Sequence, residues 1–97
     1  MLTNSQKKQL RGLASTLKVK YQLGKTGITD SLVDVLDKAL TAHELVKIVI
    51  MKGVETPKME LALDLSSKLN AEVVQVIGNT FSLYRRNKDN PKIQFVK

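Results

Sequence analysis

The sequence predicts an α/β fold in which three helices and a mixed four-stranded sheet form a two-layer sandwich. Up to Asn70, amphipathic helical segments alternate with short strand segments, and helical crossovers of this kind imply parallel strand pairing. Residues 72–77 and 80–84 are two more strand segments, separated only by Gly78-Asn79, which indicates an antiparallel hairpin. The expected order is therefore α-β-α-β-α-β-β.

The composition predicts one globular domain over residues 1–97, with a looser tail from about residue 88. The chain has 16 Lys and Arg against 9 Asp and Glu, and a formal charge of +7, which favours a polyanionic partner such as nucleic acid or an acidic membrane surface. It has no cysteine, which excludes disulfides and cysteine nucleophiles. No apolar run is long enough to span a membrane, so we expect a cytoplasmic protein.

The first helix is predicted by a capping box between Thr3 and Gln6. The buried stripe of this helix is expected to consist of Leu10, Leu13, Ala14 and Leu17, which have the i, i+3, i+4, i+7 spacing of one helix face. Lys7, Arg11 and Lys18 fall within about 40° of one another beside this stripe. They form either a basic ridge for a ligand or a solvated face.

A second helix is predicted from about Thr29 to Ala42, with Asp30, Asp34 and Asp37 on a face turned away from any phosphate ligand. A third helix is expected to have Thr56 as its cap and Pro57 as its first residue, and to stop at Asn70. Its buried face is expected to consist of Leu61, Ala62, Leu65 and Leu69.

Two strand segments precede the hairpin. Residues 19–23 form the first, in which Tyr21 is expected to lie in the core instead of stacking on a base. Residues 45–51 form the second and clearest one, because nearly every position is apolar and many are β-branched. Lys47 interrupts its open face, either as a ligand contact or as a solubilising residue.

The candidate functional site is the loop Gly24-Lys25-Thr26-Gly27. Glycines at both ends let a ligand backbone approach closely, and Lys25 supplies a mobile cation between them. Thr29 follows as a helix cap, so the loop is expected beside the positive end of a helix dipole. This arrangement suits a phosphodiester, although the same spacing also occurs in ordinary strand-to-helix turns.

Catalytic and metal sites are not predicted. Gly24-Lys25-Thr26 matches the end of the nucleotide-binding P-loop, but Val19 occupies the position of its first glycine, so nucleotide hydrolysis is only a remote alternative. His43 is the only histidine and is expected to be structural. A binding module without cofactor or small-molecule substrate is therefore preferred to an enzyme.

Four stretches of the chain carry a resemblance to a known family: residues 2–17, 23–27, 43–47 and, above all, 74–80 with 83–85. Together they resemble the YhbY-type proteins, also called the CRM domain for chloroplast RNA splicing and ribosome maturation. The resemblance implies a fold similar to the C-terminal domain of bacterial translation initiation factor three. It also implies RNA binding through the glycine loop and, for single-domain bacterial members, association with precursors of the large ribosomal subunit.

By position, the resemblance assigns the RNA contacts to the loop and to surrounding cations. This chain has Thr26 where many relatives have a third glycine, and its hydroxyl could donate to a phosphate. The leading hypothesis is a monomeric maturation factor that binds ribosomal RNA, and the alternative is a general RNA module that binds transfer RNA or aids annealing. The expected RNA-binding residues are Gly24, Lys25, Thr26, Gly27, Lys7, Lys8, Arg11, Lys18, Arg85 and Arg86.

Overall fold

The computed structural model describes residues 3–17, 21–24 and 27–87. The predictions for Lys18, Val19, Lys25, Thr26 and the tail from residue 88 lie outside the described residues. The predicted order of helices and strands is confirmed. The elements are α1 (Asn4–Thr16), β1 (Tyr21–Leu23), α2 (Asp30–His43), β2 (Leu45–Ile50), α3 (Lys58–Leu69), β3 (Glu72–Ile77) and β4 (Thr80–Tyr84).

The four strands form one sheet in the order β1-β2-β4-β3. Strand β1 runs parallel to β2, whereas β4 is antiparallel to both β2 and β3. The predicted mixed sheet and its hairpin are therefore confirmed. The β3–β4 register shifts between Val73 and Gln75, which marks a bulge at Val74.

The sheet with α2 and α3 forms the predicted two layers. Alternate residues of β2, among them Ile48, point to these helices, as do Phe81 and Leu83 of β4. Leu40 is buried, whereas His43, the last residue of α2, is exposed. The helix residues of this main core are Leu36, Ala39, Leu40, Leu61, Ala62, Leu65 and Leu69.

Helix α1 packs on the opposite face of the sheet and adds a partial third layer. Its buried residues Leu10 and Ala14 contact Leu45, Val74 and Tyr84 in a small second cluster. This cluster needs only a narrow stripe of α1. The prediction that Leu13 is buried was therefore wrong, since this side chain is 39% exposed.

Burial beneath α1 changes the chemistry of Tyr84. Desolvation raises the pKa of its phenol, and the negative charges of Glu44 and Glu72 act in the same direction, whereas Arg86 lowers it. Tyr84 is thus shielded from water at this end of the sheet, although the charges of Glu44 and Glu72 lie close to its phenol.

The ends of α1 and α2 follow the sequence signals. The Gln6 N–H donates to Thr3 Oγ1 at 3.1 Å, and the Thr3 N–H donates to Gln6 Oε1 at 2.9 Å, which confirms the capping box. Thr29 caps α2 by accepting from the Leu32 N–H at 3.1 Å.

The ends of α3 differ from the prediction at one terminus. Asn70 stops the helix in the left-handed conformation with φ of 53°, as predicted. At the other end, Pro57 is the cap residue and Lys58 is the first helical residue, so the prediction of a Thr56 cap was wrong. Thr56 precedes a proline, and a residue in that position is disfavoured in helical geometry. The extended ψ of 138° at Pro57 itself is typical of a cap residue.

Candidate nucleic-acid interface

The glycine loop lies at the end of the sheet where β1 and β2 finish together. The Met51 N–H donates to the Leu23 carbonyl at 2.9 Å, which fixes the start of the loop against β2. The Gly27 N–H donates to the Gly24 carbonyl at 2.9 Å and closes the loop. Gly27 has φ of 75°, so its turn uses the conformation that glycine adopts without strain.

Gly24 is different, because its backbone does not have positive φ. A Cβ added at Gly24 would meet no heavy atom within 4 Å, and the same is true at Gly27. Neither φ nor packing against neighbouring atoms therefore requires glycine at position 24. The open space beside this backbone is what a closely approaching ligand would use.

Two further connections reach the same end of the molecule. The Ile50 N–H donates to the Asn79 carbonyl, which places the hairpin turn next to the end of β2. The segment between β2 and α3 carries Lys52 and leads to Lys58, whose ammonium donates to the Gly78 carbonyl. Between them lies a depression of about 280 Å³. We call this end of the sheet the loop end.

The charges of the chain are segregated in sequence. The first 29 residues hold no Asp or Glu, and Asp30 is the first carboxylate. Among the predicted site residues of α1, Lys7 is half-buried while Lys8 and Arg11 are exposed. The cations of this acid-free segment are Lys7, Lys8, Arg11, Lys18, Lys20 and Lys25.

The carboxylates gather on the other side of the sheet. Helices α2 and α3 carry five exposed acids, and α1 lies across the sheet from both helices. Helix α1 carries three cations and no acid, whereas α2 and α3 carry five acids against three lysines, and we call these two faces the basic side and the acidic side of the sheet. The five acids are Asp30, Asp34, Asp37, Glu60 and Asp64.

Arg85 and Arg86 lie at the opposite end of the sheet from the loop. The Arg85 N–H donates to the Glu44 carbonyl at 2.9 Å, just before β2 begins. Five residue steps along β2, at about 3.3 Å each, separate this level from the loop end by about 17 Å. The structure thus does not bring the two arginines together with the glycine loop.

The guanidinium of Arg85 is engaged inside the protein. One terminal nitrogen contacts Asp37 Oδ1 at 2.7 Å and the Leu69 carbonyl at 3.0 Å. The other donates to the Asp37 carbonyl at 2.8 Å and to Thr41 Oγ1 at 2.9 Å. Arg85 therefore ties the last turns of α2 and α3 to the end of β4. Arg86, in contrast, is exposed.

Lys47 has a role that neither sequence interpretation included. Its ammonium donates to the Ala14 carbonyl at 3.2 Å and to the Leu17 carbonyl at 3.5 Å. It thereby caps the C-terminal end of α1, where a cation is favoured by the helix dipole. Tyr21 packs against the main core, which confirms its predicted placement.

Sequence reasoning missed a groove on the α1 side of the sheet, with a volume of about 170 Å³. Its polar lining residues come from different elements, and only their pairing in the sheet brings them together. The lining residues are Ser15, Lys47, Gln75, Ile77, Thr80 and Ser82.

The described ranges 3–17, 21–24 and 27–87 contain no group of three or more His, Cys, Asp or Glu residues that could hold a metal ion. Within the same ranges, no helix has the length and apolar character needed to cross a membrane.

Comparison with known proteins identifies the family. The model of the CRS1 / YhbY (CRM) domain matches residues 2–85. The chain belongs to the CRS1/YhbY (CRM) domain family. This CRM domain is 37% identical to the Bacillus subtilis protein named "Probable RNA-binding protein YqeI", over 97% of this chain and 98% of that protein.

Other relatives share both sequence and fold with this CRM domain. The Pseudomonas aeruginosa protein named "Probable RNA-binding protein PA4753" is 30% identical over 89% of this chain and 83% of the relative. The solution structure of the hypothetical protein SAV1595 from Staphylococcus aureus superimposes with a TM-score of 0.82 at 38% identity. That alignment covers 99% of this chain and 100% of the other.

Proposed function

We propose that this CRM domain binds RNA through the Gly24–Gly27 loop and the basic side of the sheet, as a maturation factor for the large ribosomal subunit. The observation that carries the proposal is the open backbone at Gly24, beside a segment of chain that holds six cations and no carboxylate. A phosphodiester backbone needs both close approach and positive charge. Relatives named as RNA-binding proteins support RNA as the polyanion.

The proposed footprint runs from the loop along the basic side of the molecule. Lys8 and Arg11 are exposed on α1, and Arg86 is exposed beyond β4, so these side chains can reach phosphates without losing a contact that holds the fold. We assign Arg85 to the structure instead, because both of its terminal nitrogens are engaged by α2 and α3.

The loop has one unfavourable neighbour. Asp30 occupies the first turn of α2, where its carboxylate already interacts with the positive end of the helix. Thr29 also engages one of the free N–H groups there. The proposal therefore places the main anion contacts on the loop backbone and Lys25, and only a minor one on the helix terminus.

Ribosomal RNA is the RNA that we propose, because the resemblance to single-domain YhbY-type proteins implies precursors of the large subunit. A general RNA module that acts on transfer RNA or in annealing is the alternative. Sequencing the RNA fragments that crosslink to the protein in cells distinguishes the two, since the first predicts fragments from one subunit and the second predicts many RNAs.

Replacing Lys25 by Glu tests the loop directly. We expect Lys25→Glu to weaken RNA binding well beyond the effect of net charge, since it places an anion against a phosphate held close by Gly24 and Gly27. The measurements are the affinity for ribosomal RNA fragments and co-sedimentation with large-subunit precursors.

The matched control is Lys38→Glu, which changes the net charge by the same amount on the acidic side. Lys38 pairs with Asp34 at 3.2 Å, but both side chains are exposed, so losing this pair should cost no more than about 0.5 kcal/mol. Co-sedimentation should persist for Lys38→Glu and vanish for Lys25→Glu, provided that both variants melt like the parent. Equal losses of affinity would contradict a site at the loop.

A further inference from the structure

The strand pairing places side chains in rows on the α1 side of the sheet. The row nearest the loop end crosses all four strands and consists of Gln22, Val49, Thr80 and Ile77. The next row joins Lys47, Ser82 and Gln75. The third row includes Leu45 and Tyr84 and is the row that α1 covers.

Helix α1 therefore leaves the row nearest the loop end partly exposed, while in the second row Ser82 is buried and Lys47 reaches the end of α1. Among the described helices, only α1 packs on this face, because α2 and α3 belong to the core on the other side. Ile77 is 62% exposed, Gln22 is exposed, and Val49 and Thr80 are half-buried. Ser82 is buried and forms the floor of the groove, and Ser15 of α1 forms one wall.

The chemistry of the groove differs from that of the loop. Its lining offers one amide, three hydroxyls, one ammonium and the aliphatic side chain of Ile77, and none of the lining residues is a carboxylate. An amide and hydroxyls can donate to and accept from base edges, while an exposed aliphatic side chain can lie against a base face. A phosphate would find only Lys47, whose ammonium is already bonded to the end of α1.

The groove is also continuous with the proposed backbone site. Gln22 belongs to the row nearest the loop end and lies two residues before Gly24 in the same strand-to-loop segment. An RNA strand whose phosphates contact the loop and α1 would have its bases within reach of this face. Lys7, Lys8 and Arg11 of α1 provide charge complementarity for that strand on the α1 side of the sheet.

We infer that this groove receives unpaired bases of the RNA whose backbone the loop grips, and this inference rests on the proposed function. Bases in a duplex present their edges only within the grooves of the helix, whereas unpaired bases can turn onto a protein surface. The domain would then prefer single-stranded or looped RNA, and the preference would come from the sheet and not from the lysines.

Two variants each remove one hydrogen-bonding group from the groove and keep a side chain of similar shape. Gln75→Met loses the amide, and Thr80→Val loses the hydroxyl but stays β-branched. Ser67→Ala is the control, because it removes an exposed hydroxyl from α3 on the far side. The probes are a short single-stranded RNA of mixed sequence and the same ribose-phosphate chain with abasic positions.

We expect the parent to bind the intact RNA more tightly than the abasic chain. Gln75→Met and Thr80→Val should each weaken binding of the intact RNA by about three- to tenfold, the usual effect of losing one hydrogen bond. They should leave binding of the abasic chain unchanged, and Ser67→Ala should change neither affinity. Thermal melting of each variant establishes that the fold is retained.

Three results would overturn the inference: equal affinity of the parent for both probes, equal loss by a groove variant on both probes, or no effect of either groove variant. A parent dimer that the groove variants dissociate, measured by sedimentation, would identify the face as a contact between copies and would also overturn it. Failure of the proposed function looks different. In that case the parent binds neither probe, or Lys25→Glu binds both as the parent does.

Discussion

At the scale of single residues, Arg85 was predicted to bind RNA because of its charge, but its guanidinium stabilises the fold. Its guanidinium donates to the carbonyl of Asp37, in the middle of α2, and to the carbonyl of Leu69, the last residue of α3. Its side chain is only 21% exposed, so water cannot fully replace these contacts. The fold depends on the planar, forked shape of arginine at this position.

We expect Arg85→Ala to lower the free energy of unfolding by about 2 kcal/mol, because the Leu69 carbonyl and the Asp37 carboxylate lose the guanidinium as their donor, whereas the Asp37 carbonyl still accepts from the Thr41 hydroxyl. Urea denaturation measures the change. Arg85→Lys should recover little of this stability, since an ammonium cannot span both helices. If Arg85 acts only as an RNA contact, both variants will unfold like the parent and will lose affinity instead.

Sequence reasoning found the residue types of the candidate site but not all of their partners. Gly24 and Gly27 carry a local signal, because a turn and a close approach each need glycine. The pairing of Arg85 with Asp37 joins residues far apart in the chain, and nothing in the local pattern at either position indicates it. The groove residues other than Lys47 were missed for the same reason.

At the scale of elements, α1 is attached by a narrow contact. Two buried residues, Leu10 and Ala14, hold it to the sheet, and Lys47 fastens its C-terminal end. Periodicity predicted the helix and its capping box, but an apolar stripe does not tell which face of a sheet it will cover. The expected two layers therefore became two layers plus a partial third.

We expect Lys47→Met to lower the free energy of unfolding by about 1 kcal/mol, because the last carbonyls of α1 lose their cation. Amide hydrogen exchange should rise by about fivefold along the second half of α1, and less in β2 and β4. Lys52→Met is the control, since Lys52 is exposed at the loop end. Uniform acceleration across the sheet would contradict a role confined to α1.

At the scale of the whole molecule, the separation of charge governs how RNA would approach. The +7 charge is not evenly spread, because the acids of α2 and α3 lie across the sheet from Lys7, Lys8 and Arg11 of α1. A domain with this asymmetry would be oriented by the field of a polyanion before contact. The net charge can be read from the composition, but only the fold shows that the acids of α2 and α3 lie on the opposite side of the sheet from the cations of α1.

We expect RNA affinity to fall steeply with salt, because binding led by phosphate contacts releases counterions. If about four phosphates are neutralised, the log–log slope for a single strand should be about −3, at roughly 0.7 per contact. Titration of a labelled single-stranded RNA at several salt concentrations measures the slope. A slope near zero would contradict an electrostatic footprint.

The way α1 is docked also bears on how the chain folds during synthesis. Leu10 and Ala14 are made early, but their partners Val74 and Tyr84 come from the last hairpin. Since non-local contacts form only after the intervening chain is in place, α1 has to wait for β3 and β4 before it can pack. On the ribosome, Lys7, Lys8 and Arg11 of α1 would therefore remain undocked until the last hairpin has emerged.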